Sequence, residues 1–184
     1  MKVKSIYLVF SRTGTWLSRL ISLFVEGKYA HASISLDDKF TQMYSFGRIN
    51  PDNPFIAGFT EENLYNGVYK KFSRSECLIY KLDVTEEQYE ILKEEINKFF
   101  MEKEKYKYNF LGLFGVVFNK PIRRRNHYFC TEFVSEVLMK TNIYNLDKNP
   151  ALTKPDDLIA IEHKEIIYEG FINNYQSFNE VYNF

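Results

Sequence analysis

Hydrophobic and polar positions alternate in some segments of this chain and recur at helical spacing in others. Residues 5–11 (SIYLVFS) are rich in β-branched and aromatic side chains and predict a strand. Residues 29–36 (YAHASISL) alternate strictly and predict a half-buried strand. The apolar face of that strand carries Ala32, Ile34 and Leu36, and the polar face carries His31, Ser33 and Ser35.

The segment after this strand predicts a hairpin and then a loop. Residues 37–39 (DDK) form a turn, and residues 40–46 (FTQMYSF) predict the return strand. Residues 47–67 carry Gly, Pro and Asn throughout and predict a long irregular loop, of the kind that often serves as a lid or binding loop. Further strands are predicted over residues 68–72, 76–84 and 165–170.

Helical spacing predicts the remaining elements. Residues 15–27 predict a short helix capped by Thr15 and ended by Gly27, and residues 85–106 predict a long helix capped by Thr85. Residues 108–118 predict a buried helix or turn, a further helix begins at Cys130, and residues 149–161 predict turns with a short helix. Strands and helices are partly segregated along the chain, so the expected class is α+β in a single domain over residues 1–184.

Composition narrows the function classes. The chain has 184 residues with 24 basic and 24 acidic side chains, a balance that argues against a nucleic-acid binder. The one basic run, KPIRRR at residues 120–125, is interpreted as a solvated loop. The abundance of Lys, Asn and Ile suggests a bacterial protein. No signal peptide or transmembrane segment is predicted, and two isolated cysteines fit a reducing cytoplasm, which is the expected location. His and Cys lack metal-ligand spacing, so no metal or cofactor is expected.

Cys130 is the first candidate for chemistry, in the segment HYFCTEFVSEVL at residues 127–138. An extended tripeptide precedes it and a helical pattern follows, which places the thiol on the first turn of a helix. The helix dipole favours a thiolate there, and the free N–H groups of the first turn favour an oxyanion. A buried structural cysteine is the alternative. Cys77, inside a strand pattern, is interpreted as a small core residue.

A thiolate nucleophile needs a base within hydrogen-bond reach, and the chain offers three histidines. His127 is too close to Cys130 in sequence for a good pairing geometry, and His163 lies among charges near a turn. His31 lies in the middle of a predicted strand, where a rigid backbone would position a base. The alternative is that His31 is a half-exposed strand residue with no catalytic role.

The segments YAHASI and FCTEFV resemble motifs of the permuted papain-like cysteine hydrolases. These belong to the NlpC-type superfamily, in which the histidine precedes the cysteine, and include the YiiX-like proteins and the lecithin:retinol acyltransferase-like enzymes. The similarity extends over residues 5–170. The resemblance implies a Cys130 nucleophile, a His31 base, and a small antiparallel, barrel-like sheet packed against the helix that carries the cysteine.

Members of this group place a third polar residue on the strand after the histidine strand, where it orients the imidazole. A two-residue turn in the predicted hairpin would put Tyr44 opposite His31, and a three-residue turn would put Ser45 there. Either hydroxyl would orient the ring more weakly than a carboxylate would. Glu61, from the predicted loop, is a third candidate.

The expected function is a cysteine amidase or peptidase that works through an acyl-enzyme thioester on a small peptide or amide. Two alternatives are a lipid acyltransferase or thioester hydrolase acting on an acyl-lipid substrate, and a non-catalytic binding module on the same fold. In the acyl-lipid case the apolar runs at residues 16–24 and 110–118 would line an acyl groove; otherwise they are core. Three residues are candidates for substrate binding. Tyr128 would lie over the cleft, or would instead be an aromatic packed in a loop. Arg12 and Arg48 would bind an anionic group of the substrate, or would instead be surface or structural residues.

Overall fold

A computed structural model describes residues 2–14, 27–50, 52–72 and 74–175 and shows an α+β architecture. All eight described strands belong to one sheet, and five α-helices whose full bounds are described pack around it. The strands are β1 Val3–Arg12, β2 His31–Ser35, β3 Met43–Asn50, β4 Asn53–Glu62, β5 Glu76–Thr85, β6 Lys107–Tyr108, β7 His127–Tyr128 and β8 Lys164–Phe171. The helices are α1 Gly67–Lys71, α2 Glu86–Met101, α3 Phe110–Val117, α4 Cys130–Lys140 and α5 Pro155–Ile159.

The order of strands in the sheet is β7-β6-β4-β3-β2-β1-β5-β8. Every pairing is antiparallel except that of the two short strands β6 and β7. The described strands therefore form an open ladder that ends at β7 and β8, rather than a closed barrel. The pairing of Ser11 with His31 and of Phe10 with Ala32 places the start of β2 beside the end of β1.

Both faces of the sheet are covered. Along β1, Leu8 and Phe10 belong to the larger apolar cluster, under α2 and α4, whereas Val9 belongs to a second cluster on the other side. The expectation of a half-buried β2 is therefore wrong. Ser33 and Ser35 are fully buried and hydrogen-bonded, which removes the cost of placing their hydroxyls in the interior.

The larger cluster has an aromatic centre. The rings of Phe46, Phe59, Phe99 and Phe133 contact one another with centroid separations from 5.1 to 6.1 Å, in both edge-to-face and stacked arrangements. These rings come from β3, β4, α2 and α4. A buried Phe contributes both its apolar area and its ring contacts, so this cluster fixes α4, and with it Cys130, against the sheet.

Several predicted elements match the structure. Residues 5–11 lie in β1, and residues 76–84 lie in β5. The long helix begins after Thr85, whose hydroxyl accepts a hydrogen bond from Gln88 N–H while the Gln88 side chain accepts one from Thr85 N–H. This capping box satisfies two N–H groups at the start of α2 and explains why its first residue could be predicted.

Other predicted elements differ. The loop expected over residues 47–67 is mostly strand, because β3 continues to Asn50 and β4 occupies residues 53–62. Residues 68–72 lie largely in helix α1 rather than in a strand, and this turns Tyr69 into the interior. The helix predicted over residues 15–27 falls almost wholly outside the described residues. Within the described ranges, no helix has both the length and the apolar character to cross a bilayer.

The aromatic centre predicts a large, local stability effect. Phe133→Ala leaves a cavity beneath α4 and is expected to lower the free energy of unfolding by about 3–5 kcal/mol. Phe118→Ala is the matched control, because Phe118 is 70% exposed, and is expected to change stability by less than about 0.5 kcal/mol. Urea unfolding followed by circular dichroism measures both. Equal losses for the two variants would contradict this account of the core.

Candidate active site

Cys130 is the first residue of α4. Phe129, in extended conformation with φ −108° and ψ 169°, is the N-cap, and its side chain makes no capping hydrogen bond. The Glu132 carboxylate instead accepts a hydrogen bond from the Phe129 N–H. The N–H groups of the first turn and the positive end of the helix dipole therefore surround the thiol, as the sequence predicted. Cys130 is 4% exposed.

His31 lies beside this thiol. It is the first residue of β2, and its Nε2 donates a hydrogen bond to Glu62 Oε1 at 2.8 Å. The Cys130 thiol lies beside the ring and helps to raise the pKa of His31. Because Nε2 is taken by the carboxylate, Nδ1 is the nitrogen available to the sulfur. The two residues that the sequence proposed as nucleophile and base are thus brought together.

The charge of His31 is set by opposing effects. Burial lowers the pKa of His31, but the negative charge of Glu62, together with hydrogen bonds to Cys130 and Glu62, outweighs burial and raises the pKa to about 10. The imidazole is therefore an imidazolium at neutral pH. Since the pKa is raised on folding, this pair stabilises the fold fully below the unfolded pKa of about 6.5 and loses that contribution as the pH rises through about 10.

Glu62, the last residue of β4, holds the imidazolium in place. Its Oε2 accepts hydrogen bonds from the Ser33 hydroxyl at 2.6 Å and from the Tyr69 hydroxyl at 3.2 Å. The Tyr69 hydroxyl also lies 3.1 Å from the Ser11 hydroxyl. Burial raises the pKa of Glu62, but the charge of His31 and these hydrogen bonds outweigh burial and leave the pKa below its ordinary value. The carboxylate is therefore ionised and fully paired.

The hairpin register corrects the expected third residue. Ile34 pairs with Tyr44 and Ser35 pairs with Met43, which corresponds to a longer connection than either turn considered from the sequence. Tyr44 consequently faces the larger apolar cluster, and the Ser45 hydroxyl donates to Ala32 O at 2.6 Å. Neither side chain is a partner of His31. Glu61 is exposed, and its neighbour Glu62 takes the orienting position.

Gly47 allows this approach of Glu62 to His31. The register of β2 and β3, extended beyond the paired residues, places Gly47 level with His31. A Cβ at position 47 would lie 3.0 Å from Glu62 Oε1 and 3.3 Å from His31 Cε1. A side chain there would therefore crowd the ion pair. The carboxylate reaches the imidazole from β4 across a glycine on β3, whereas the candidates Tyr44 and Ser45 both lie on β3.

A tyrosine also contacts Cys130, although not the one expected. Tyr108, on β6, is buried beside the Cys130 thiol. Burial, and then the interaction with Cys130, raise the pKa of Tyr108 far above its ordinary value, so its phenol is neutral. Tyr128 is the residue paired with it on β7. The Tyr128 ring packs against Phe46 at 5.2 Å and Phe99 at 5.4 Å, as the packed-aromatic alternative expected.

A pocket of about 300 Å³ opens beside these residues. Its walls include His31, Glu62, Tyr69 and Tyr108, together with apolar side chains of β3, β4, α1 and α3: Phe46, Ile49, Ala57, Val68 and Phe110. Cys130 does not line the pocket, so the pocket reaches His31 and Tyr108, which lie beside the thiol, and not the sulfur itself.

The two candidate arginines differ in position. Arg48 lines the pocket, and its guanidinium lies 5.5 Å from the centre of the Phe72 ring. Burial lowers the pKa of Arg48, an effect that the negative charge of Glu62 opposes. Arg12 is exposed, pairs across the sheet with Glu76, and does not line the pocket. Of the two, Arg48 alone is placed to contact a molecule in the pocket.

The remaining thiol and histidines lie away from the site. Cys77 is buried in the second apolar cluster, and burial raises its pKa to about 12. His127 Nδ1 contacts Arg125 O at 2.7 Å, and His163 is almost fully exposed. Across the parts of the chain that the structure describes, no three His, Cys, Asp or Glu side chains are grouped to hold a metal ion.

Comparisons with known proteins bear on the fold. No family model and no curated protein sequence matches the chain. Among solved structures, the chain is similar to the crystal structure of YiiX from Escherichia coli O157:H7, described as a metalloprotein, with a TM-score of 0.59 and 12% identity. The match covers 91% of this chain and 98% of that one. Since the identity is low, the likeness shows a shared fold: this chain has a YiiX-like fold.

Proposed function

We propose that this protein is a cysteine hydrolase of the permuted papain-like group, acting on amide bonds with Cys130 as nucleophile. The observation that carries the proposal is the arrangement of the Cys130 thiol, the His31 ring beside it, and the Glu62 carboxylate that pairs with His31 Nε2 at 2.8 Å. A nucleophile, a base and a group that orients the base are the three parts that covalent acyl transfer requires. A fully paired Glu62 also supplies the stabilising charge that a Tyr44 or Ser45 hydroxyl would lack.

The first half-reaction forms the acyl-enzyme. The Cys130 thiolate attacks the substrate carbonyl carbon, and the carbonyl oxygen gains negative charge. Collapse of this intermediate breaks the carbon–nitrogen bond, and the leaving nitrogen takes the proton of His31 Nδ1. Glu62 remains ionised throughout, holds the ring through Nε2, and stabilises the imidazolium before the proton is given up.

The second half-reaction restores the enzyme. Water attacks the thioester while neutral His31 takes one of its protons. The carbon–sulfur bond then breaks, which releases a carboxylic acid and regenerates the thiolate and imidazolium. Negative charge on the carbonyl oxygen in both steps would be met by the Cys130 N–H, at the start of α4, and by the neutral Tyr108 hydroxyl. The position of the Tyr108 phenol beside the sulfur supports this role.

The pocket favours a substrate with an apolar portion. Its apolar walls also support a second candidate function, transfer or hydrolysis of a lipid acyl group through the same thioester. Arg48 would contact a polar or anionic group of either substrate. The YiiX neighbour is described as a metalloprotein, but the described His, Cys, Asp and Glu side chains offer no set of three ligands, and the proposed steps use only protein groups.

Removal of the thiol tests the proposal directly. Cys130→Ser is expected to fold normally and to lose about a thousandfold or more of the activity, because a hydroxyl is not ionised by imidazole. Activity is measured on dipeptide amides and on p-nitrophenyl acyl esters of increasing chain length. A rate that rises with chain length on esters, with no amide cleavage, would favour the lipid candidate instead.

Cys77→Ala is the matched control and is expected to keep full activity. In the native protein, iodoacetamide at pH 7 is expected to modify Cys130 in preference to Cys77, since burial holds the Cys77 thiol protonated. Peptide mass spectrometry quantifies the two sites. Equal, slow modification of both cysteines, together with no activity on either substrate series, would contradict the hydrolase proposal and support a non-catalytic binding module.

The Glu62 charge predicts a pH effect. Activity requires the His31 proton, so it should fall at high pH as the imidazolium is lost near pH 10. Glu62→Gln removes the charge that raises the pKa of His31. The fall in activity at high pH, the alkaline limb of the pH–activity profile, is therefore expected to move to lower pH by about one unit or more. Glu61→Gln, at the adjacent exposed carboxylate, is the control. An unmoved alkaline limb in Glu62→Gln would show that Glu62 does not support the imidazolium.

The Tyr108 hydroxyl predicts a loss in kcat. Tyr108→Phe keeps the ring that lines the pocket and removes one hydrogen-bond donor, so kcat is expected to fall about tenfold to a thousandfold with little change in KM. Tyr128→Phe, on the neighbouring strand, is the matched control and is expected to be neutral. A Tyr108→Phe variant that changes only KM would assign Tyr108 to substrate binding and not to the transition state.

A further inference from the structure

The outer surface of α3 is apolar, although the sequence predicted a buried element there. Leu111 is 50% exposed, Val117 is 44% exposed, Phe118 is 70% exposed, and Ile122 in the following loop is 36% exposed. Soluble domains bury most side chains of this kind, and a contiguous exposed group of them marks a surface that contacts something else. Phe110, on the same helix, is half-buried and lines the pocket.

The basic run follows directly on this apolar surface. Four cationic side chains are exposed here: Lys120, Arg123, Arg124 and Arg125. Arg123 donates to Asn149 Oδ1 at 3.2 Å and contributes positive charge near Glu132. The chain as a whole carries no net charge, so these four cations within six residues are a local concentration and not a general property of the surface.

The loop that carries the cations is held rigidly against α3. The Asn109 side chain caps α3 by accepting a hydrogen bond from Gly112 N–H at 3.1 Å and donates to Ile122 O at 2.9 Å. At Gly115 the loop approaches so closely that a Cβ would lie 2.6 Å from Lys120 O. The end of the run is fixed by His127 N–H, which donates to Arg124 O at 3.1 Å. Apolar and basic side chains are therefore presented together by one fixed unit.

We propose that this unit, the α3 face (Leu111, Val117, Phe118, Lys120 and 122–125), docks on an anionic lipid bilayer. Apolar side chains beside a cluster of Lys and Arg are the combination that binds the interface of a membrane containing acidic lipids, since the apolar groups enter the headgroup region and the cations meet the phosphates. A protein groove would bury the apolar side chains equally well. It would not by itself account for four adjacent cations in a chain of zero net charge.

Docking on this face would bring the bilayer next to the pocket. Phe110 begins α3 and also lines the pocket beside Tyr108, whose ring lies 4.7 Å from that of Phe110. A membrane-bound substrate could therefore enter the pocket without crossing bulk water. The docking itself makes no use of the thiol, so it is testable separately from the proposed hydrolysis, and Cys130→Ser should bind vesicles as the native protein does.

Vesicle co-sedimentation of the full chain tests the proposal. The native protein is expected to bind vesicles of phosphatidylcholine with about 30% phosphatidylglycerol, to bind pure phosphatidylcholine much more weakly, and to be released by added salt. Arg124→Gln with Arg125→Gln is expected to weaken binding about 25-fold, at about fivefold for each charge. Phe118→Ala is expected to weaken it as well, because it removes an apolar contact with the interface.

Lys2→Gln with Lys39→Gln is the charge-matched control, since both lysines are exposed and lie at the opposite end of β1 and β2 from His31. Its binding should equal that of the native protein. Three results would overturn the proposal: no binding to acidic vesicles, equal loss in the lysine control, or a dimer in sedimentation velocity that Phe118→Ala dissociates. The last result would instead identify the α3 face as an interface between two copies of the chain.

Discussion

A carboxylate with little access to water is the constraint on which the candidate site depends. Moving the Glu62 charge out of water costs several kcal/mol unless a cation and hydrogen-bond donors replace the lost hydration. Three segments supply them: β2 gives His31 and Ser33, α1 gives Tyr69, and β1 supports Tyr69 through Ser11. Because each donor is needed, the network fixes the relative positions of these segments. The imidazole is oriented as a consequence.

The same network explains why the sheet opens where it does. The paired residues of β2 and β3 are Ile34 with Tyr44 and Ser35 with Met43, near the hairpin, whereas β3 and β4 are paired over a much longer length. At the level of His31 the β3 residue is Gly47, and Glu62 and His31 meet across it. Continued pairing with a larger residue there would fill the space that the ion pair occupies. The opening thus gives the pocket a wall of polar side chains.

The sequence was sufficient for the parts of the site that depend on local patterns. Cys130 at a helix start and His31 on a strand follow from periodicity over a few residues. Cys130 begins α4 as expected, whereas His31 is the first residue of β2 rather than a residue in the middle of the strand. Glu62 and Tyr108 depend on register and on strand order, which local patterns do not carry. The connection between β2 and β3 is longer than a tight turn, and Pro, Asn and Gly in residues 47–58 concealed a strand. Residues 59–62 (FTEE) show no alternation of apolar and polar side chains, so the hydrophobic pattern did not predict the end of β4.

Glu132 shows how the start of α4 can be both capped and favourable to a thiolate. A carboxylate at this position caps the helix by accepting from Phe129 N–H, but its charge would oppose a neighbouring negative sulfur. Burial raises the pKa of Glu132 to about 7, against the lowering effects of that hydrogen bond and of Arg123, and its Oε2 has no hydrogen-bond partner among the described residues. A large fraction of this carboxyl is therefore neutral near pH 7. The positive end of the helix dipole then acts on Cys130 with less opposition, while a protonated Glu132 still accepts the capping hydrogen bond through its carbonyl oxygen.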